Sequence, residues 1–134
     1  MRNIGIIGIR GYRVVYSGFE TFVRRLVDEP NKDHYYYLFS RSSHNRTLIK
    51  KSNFETVYIP TINNKYFGTI CYAWLSDFSG ITKKINVILN LGLANAFLIF
   101  IQRLFSRKVI VNVDGLDWQR KRWNSLGKLY LKMC

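Results

Sequence analysis

The sequence predicts a doubly wound α/β domain, and three observations predict it. Short, nearly all-apolar runs alternate with stretches of helical periodicity, the pattern of parallel strands covered on both faces. The chain opens with an apolar strand, a glycine-bearing loop and an amphipathic helix. Its 134 residues make one domain, at roughly 100–200 residues per domain. With 48% hydrophobic and 16% aromatic residues, the composition is that of a folded chain and excludes a disordered basic tail.

The elements follow in order. Asn3 to Gly8 is an apolar run ending in glycine, hence a first strand. Gly18 to Glu29 carries Phe19, Phe22, Val23, Leu26 and Val27 at helical spacing and is closed by Pro30. His34 to Ser40 is an aromatic strand, Arg41 to Lys51 a polar loop or short helix, and Phe54 to Ile59 a strand stopped by Pro60. Phe67 to Phe78 suits a helix, Asn86 to Leu91 a strand, Ala94 to Phe105 a helix and Lys108 to Val113 a strand. Trp118 to Met133 places Trp123, Leu126, Leu129, Tyr130 and Met133 on one face of a last helix. The uncharged run of 18 residues from Ile85 to Gln102 approaches the ~20 residues that span a bilayer. Asn86, Asn90, Asn95 and Gln102 interrupt it, and a buried strand followed by a buried helix explains it better.

Ligands bind such sheets outside the carboxyl ends of the strands. That directs attention to the loops Ile9–Gly18, Pro60–Lys65, Gly92–Asn95 and Asp114–Trp118. Gly5, Gly8 and Gly11 superficially resemble a dinucleotide fingerprint, but Tyr12 to Ser17 intervene before the helix and the second strand ends in Ser40-Arg41 instead of an acid. At Ser17-Gly18-Phe19-Glu20 the chain enters its first helix, where free N–H groups and the dipole favour an anion and Gly18 admits one close to the backbone. Arg10 and Arg13 precede it. Glu20 either supports the helix start electrostatically or accepts hydrogen bonds from a sugar-like ligand. Asp114 ends an apolar strand, where a carboxylate can act as base or acceptor toward a hydroxyl. Gly115 allows a tight turn and Asp117 can cap the next helix. Trp118 and Trp123 flank Arg120, Lys121 and Arg122, an arrangement that stacks a sugar or base, sits at a membrane interface, or is half-buried on an amphipathic helix.

There is no metal motif, P-loop or nucleophile elbow, and His34 and His44 are isolated. Cys71 and Cys134 form neither a disulfide framework nor a ligand set and fit a reducing compartment. Without a signal-peptide pattern, the expected location is the cytosol. A net charge of +13, from 21 Lys plus Arg against 8 Asp plus Glu, leaves three anionic partners open: nucleic acid, a membrane surface, or phosphorylated small molecules.

Four separated segments then resemble a known family. Ile6-Ile7-Gly8-Ile9-Arg10-Gly11, Tyr16-Ser17-Gly18-Phe19-Glu20-Thr21-Phe22-Val23, Tyr58-Ile59-Pro60-Thr61-Ile62-Asn63-Asn64-Lys65 and Val111-Asn112-Val113-Asp114-Gly115-Leu116-Asp117-Trp118, in this order over nearly the whole chain, resemble the N-terminal half of bacterial rhamnosyltransferases of glycosyltransferase family 4. The resemblance implies a Rossmann-like sheet forming the N-terminal, acceptor-side half of a GT-B fold, spanning 1–134 and incomplete at its C-terminus. It implies no cofactor, a sugar-nucleotide donor such as dTDP-rhamnose, and a polyprenyl-diphosphate-linked acceptor for surface polysaccharide or capsule. It further implies a peripheral site at the inner face of the membrane and a separate donor-binding C-terminal domain without which this piece is inactive.

Carried over by position, Arg10, Gly11, Ser17, Gly18, Glu20, Asn95, Asp117 and Trp118 would contact substrates, and Asp114 would be catalytic near the acceptor hydroxyl. It falls near where relatives carry a histidine. Ser17 replaces the first glycine of a Tyr-Gly-Gly-Phe-Glu pattern, and a positive φ there would strain a serine. The +13 balance suits an anionic lipid surface, where each Lys or Arg contributes about 1 kcal/mol. The other classes weighed are a non-catalytic basic module for nucleic acid, which only Arg120 to Tyr130 approaches in pattern, and an inactive remnant.

Overall fold

The computed structural model describes residues 1–13, 17–29, 33–41, 48–60, 67–92, 99–105, 107–113, 119, 125–126 and 128–129. Strand β1 (Arg2–Ile7) leads to helix α1 (Gly18–Asp28), then β2 (His34–Arg41), β3 (Phe54–Ile59), α2 (Phe67–Thr82), β4 (Val87–Leu91), α3 (Ile99–Leu104) and β5 (Lys108–Asn112). The five strands form one parallel sheet in the order β3-β2-β1-β4-β5. Strand order reverses between β1 and β4, so the two halves wind outward from that seam and leave a crevice at its carboxyl end. The expected α/β class is thus observed, and the run from Ile85 to Gln102 divides into β4 and α3 as expected. No helix among the described residues is long and apolar enough to cross a membrane.

Alternating side chains along each strand separate two cores. On one face Ile6, Leu38 and Leu91 meet Val23 and Val27 of α1. On the other, Ile7, Phe39, Ile59 and Ile88 meet Tyr72 of α2. Helix α1 forms where the amphipathic spacing predicts it, started by Ser17 as N-cap and ended as Glu29 returns its N–H to the Arg25 carbonyl at 3.2 Å. Helix α2 continues to Thr82, one turn past the expected Phe78. Its last turn contains the buried Gly80, whose missing side chain leaves space for the guanidinium of Arg107 and for Ile85. Of the predicted helix 94–105 the described part is α3. The predicted helix 118–133 lies outside the described residues except for 119, 125–126 and 128–129.

Between α2, α3 and β4 lies a buried polar chain. Asn90 Nδ2 donates to Gln102 Oε1 at 2.9 Å, and Gln102 Nε2 donates to Asp77 Oδ1 and Oδ2 at 2.9 and 3.2 Å. The carboxylate fixes both amides: Gln102 must present N–H to Asp77, so its oxygen takes the Asn90 amide, and Asn90 Oδ1 is left buried without a donor. Burial pushes the Asp77 carboxyl up to about 6, against the lowering effects of the Gln102 hydrogen bond and the charge of Arg107. The folded chain therefore holds this proton more tightly than the unfolded chain, whose carboxyl titrates near 3.8. Its contribution to stability is greatest below that value, falls as pH rises from about 4 to about 6, and stays low above. Asp77→Asn is expected to raise stability at pH 7 by on the order of 2 kcal/mol, a difference that shrinks toward zero at pH 4 when urea midpoints of the two proteins are compared.

Candidate functional site

The crevice is built by two glycines. Gly8, directly after β1, has φ +109°, and a Cβ placed on it would lie 2.3 Å from the carbonyl oxygen of Leu91. Gly92, directly after β4, has φ +89°. Both strands therefore end in left-handed residues at the seam, and their connections part there. The ring of Phe19, in the first turn of α1, lies 3.8 Å from where a Cβ of Gly92 would sit. The N-terminus of α1 is thereby brought over the seam.

The loop that joins β1 to α1 is pinned by side chains. Glu20, only 4% exposed, accepts the Arg10 N–H at 3.2 Å on Oε1 and the Ser17 N–H at 2.9 Å and Ser17 hydroxyl at 2.5 Å on Oε2. Ser17 and Glu20 form a capping box. Of the two roles open to Glu20 in the sequence, the structure supplies the structural one, with both oxygens engaged by the loop. Further along, the Tyr12 hydroxyl donates to Asp28 at 2.8 Å, and its carbonyl accepts from Arg24 at 3.2 Å. Ser17 has φ −146° and ψ 173°, extended backbone that any residue adopts, so serine in place of glycine carries no strain.

Gly18 is exposed, and a Cβ on it would meet nothing within 4 Å. Ser17 Oγ takes the Phe19 N–H at 3.3 Å and, through the capping box, the Glu20 N–H, so the open space at Gly18 adjoins a helix start that is already capped, while Gly11 is buried in the loop and Arg10 and Arg13 are exposed on it. Arg41, at the end of β2, faces the same edge: its pKa is lowered chiefly by burial and further by the charge of Arg10, while Tyr72 acts in the opposite direction. Its guanidinium lies 5.0 Å from the ring centroid of Tyr72. The carboxyl edge therefore holds Arg10 and Arg41 close enough for their charges to interact, beside a helix start whose positive end the buried Glu20 carboxylate partly offsets.

Tyr72 is the residue that sequence reasoning missed. Its hydroxyl donates to the Phe39 carbonyl at 2.5 Å and accepts the Gly8 N–H at 3.3 Å, tying α2 to the ends of β1 and β2. Burial pushes this phenol up to about 12, opposed by Gly8, Arg41 and Ser76, and keeps it a neutral donor. The available signal was a tyrosine inside the apolar run Ile70-Cys71-Tyr72, since a buried hydroxyl requires partners.

The structure brings Arg10, Gly11, Ser17, Gly18 and Glu20 together at the seam. Asn95, Asp114, Asp117 and Trp118 lie outside the described residues. Among the described residues no group of three or more His, Cys, Asp or Glu could hold a metal ion.

Fold and edge together define a doubly wound α/β domain whose switch point is flanked by the start of α1 and by Arg10 and Arg41. The chain belongs to the family described as "Domain of unknown function (DUF1972)", whose pattern matches residues 1–134. No curated protein matches it. Among solved structures it is similar to sucrose-phosphate synthase from Thermosynechococcus elongatus, with a TM-score of 0.70 and 13% identity over 98% of this chain and 39% of that one. At that identity the likeness is one of fold, and it bears out the expected half of a GT-B architecture. The chain spans well under half of that structure's length.

Gly8→Ala is expected to cost about 3 kcal/mol or more, because it adds a disfavoured φ to a clash with backbone that cannot move aside. Chemical denaturation checks this; a variant as stable as the parent would contradict the close approach of β1 and β4.

Proposed function

We propose that this chain is the acceptor-side half of a sugar-nucleotide-dependent glycosyltransferase. The observation that carries the reading is the switch-point crevice, where Arg10, hydrogen-bonded to Glu20 at the start of α1, lies close enough to Arg41 to act on its charge, on a fold shared with a sucrose-phosphate synthase. In this reading the crevice neutralises phosphate charge, held rigid by Glu20 and Tyr72 behind it. The donor is dTDP-rhamnose, bound mainly by a second, C-terminal domain. The acceptor is a sugar on a polyprenyl diphosphate at the inner face of the membrane, in surface polysaccharide synthesis. Asp114 accepts the proton of the acceptor hydroxyl, and Asn95, Asp117 and Trp118 line the acceptor side.

Transfer depends on holding donor and acceptor together, and correct positioning is worth several kcal/mol of barrier. The chain alone is therefore inactive in this reading. Mixed with a matching C-terminal half, it should support rhamnose transfer from dTDP-rhamnose. Arg41→Ala should lower kcat/KM of the pair at least about tenfold, the effect of losing one charge-assisted contact to phosphate. No transfer by the pair, with both halves folded by circular dichroism, would count against the proposal.

A further inference from the structure

Helices α2 and α3 carry their polarity in the reverse of the order that water favours. Helix α2 turns Ser76 and Asp77 inward and leaves Trp74, Phe78 and Ile81 exposed; α3 buries Gln102 and exposes Phe100 at 86% and Leu104 at 81%. A helix facing water normally presents its polar stripe outward. Both helices lie on the same side of the sheet, joined through Gln102 and Asp77, so their outer surfaces are neighbours. Large exposed apolar surfaces mark contact sites.

Charge selects the occupant. From 67 to 113 the sequence holds one carboxylate, Asp77, which points inward; of its cations Lys83 pairs with Glu55 at 2.7 Å and Arg107 is buried beside Asp77. Lys84, Arg103 and Lys108 are exposed. Rings and aliphatic chains bordered by these three exposed cations, with no exposed carboxylate between 67 and 113 and Glu55 neutralised by Lys83, match a surface whose head groups are anionic and whose interior is hydrocarbon. A second copy of this chain would set like charges against one another.

We infer that the outer face of α2 and α3 docks on an anionic lipid bilayer, with the two helices lying in the head-group region and not crossing it. Within α2, Tyr72 touches Gly8 of the crevice, and Trp74 and Phe78 follow within two turns. The start of α2 thus lies at the crevice, whereas Lys84 and Lys108 lie at the amino edge of the sheet, so docking by this face lays the sheet along the bilayer with the crevice opening at one end. The inference deepens the proposed function and rests on it for its biological purpose, while its evidence is independent.

The test is co-sedimentation of the 134-residue chain with vesicles of one part phosphatidylglycerol to two parts phosphatidylcholine, against phosphatidylcholine alone. The chain should bind the anionic vesicles and bind the neutral ones far more weakly. Phe78→Ser with Phe100→Ser, and separately Lys84→Glu with Arg103→Glu, should each weaken binding about tenfold or more with an unchanged thermal melt. The inference is overturned if the parent does not bind anionic vesicles, or if the Phe78→Ser, Phe100→Ser variant binds as well as the parent. Self-association in the ultracentrifuge that needs the same residues, without vesicle binding, would overturn it too and assign the face to a second copy. Vesicle binding without transfer by the reconstituted pair would sink the proposed function and leave the docking face standing. Transfer to a detergent-dispersed acceptor without vesicle binding would do the reverse.

Discussion

The close passage of β1 beside β4 is the constraint on which the rest depends. At the seam the backbone of Gly8 comes so near the Leu91 carbonyl that no side chain fits, and φ of +109° suits glycine alone. Crossovers between parallel strands are right-handed, so connections that run in opposite directions along the sheet from this seam lie on opposite faces. Helix α1 then covers one core, and α2 and α3 the other. The opening where these connections part is the crevice, so site and topology share one cause.

Polar groups behind the crevice hold it in shape without entering it. Glu20 gathers the loop donors of Arg10 and Ser17, and Tyr72 bridges the ends of β1 and β2. Each is buried, and each satisfies backbone or loop groups that would otherwise be orphaned at a cost of about 1–3 kcal/mol. At the edge itself stand the exposed Gly18 and Arg10, with Arg41 half-buried against Tyr72.

The strands and α1 were legible in sequence because burial on both faces writes itself as uninterrupted apolar runs, and because Val23 and Val27 repeat at helical spacing beneath Glu20. The start of α1 at Gly18 was legible for the same local reason. Tyr72 was not, since its meaning depends on two carbonyl and amide groups that lie 33 and 64 residues away in sequence. Nor was the inversion of α2 and α3. Periodicity sees an apolar run in 67–82 but cannot tell which side turns inward until Asp77 meets Gln102. Ser17 does not take the positive φ that would strain a serine, because the capping geometry places it in extended backbone. Asn95, Asp114, Asp117 and Trp118 lie outside the described residues, and their roles remain those of the proposal.

The central claim is that the switch-point crevice is an anion site. Its most direct test is an amide-shift titration by nuclear magnetic resonance with inorganic pyrophosphate and with dTDP. The account predicts saturable shifts at Gly8, Gly18, Phe19 and Gly92, strongly reduced in Arg41→Ala. Shifts spread over the basic surface without saturation, or saturable shifts confined to another part of the chain, would contradict it.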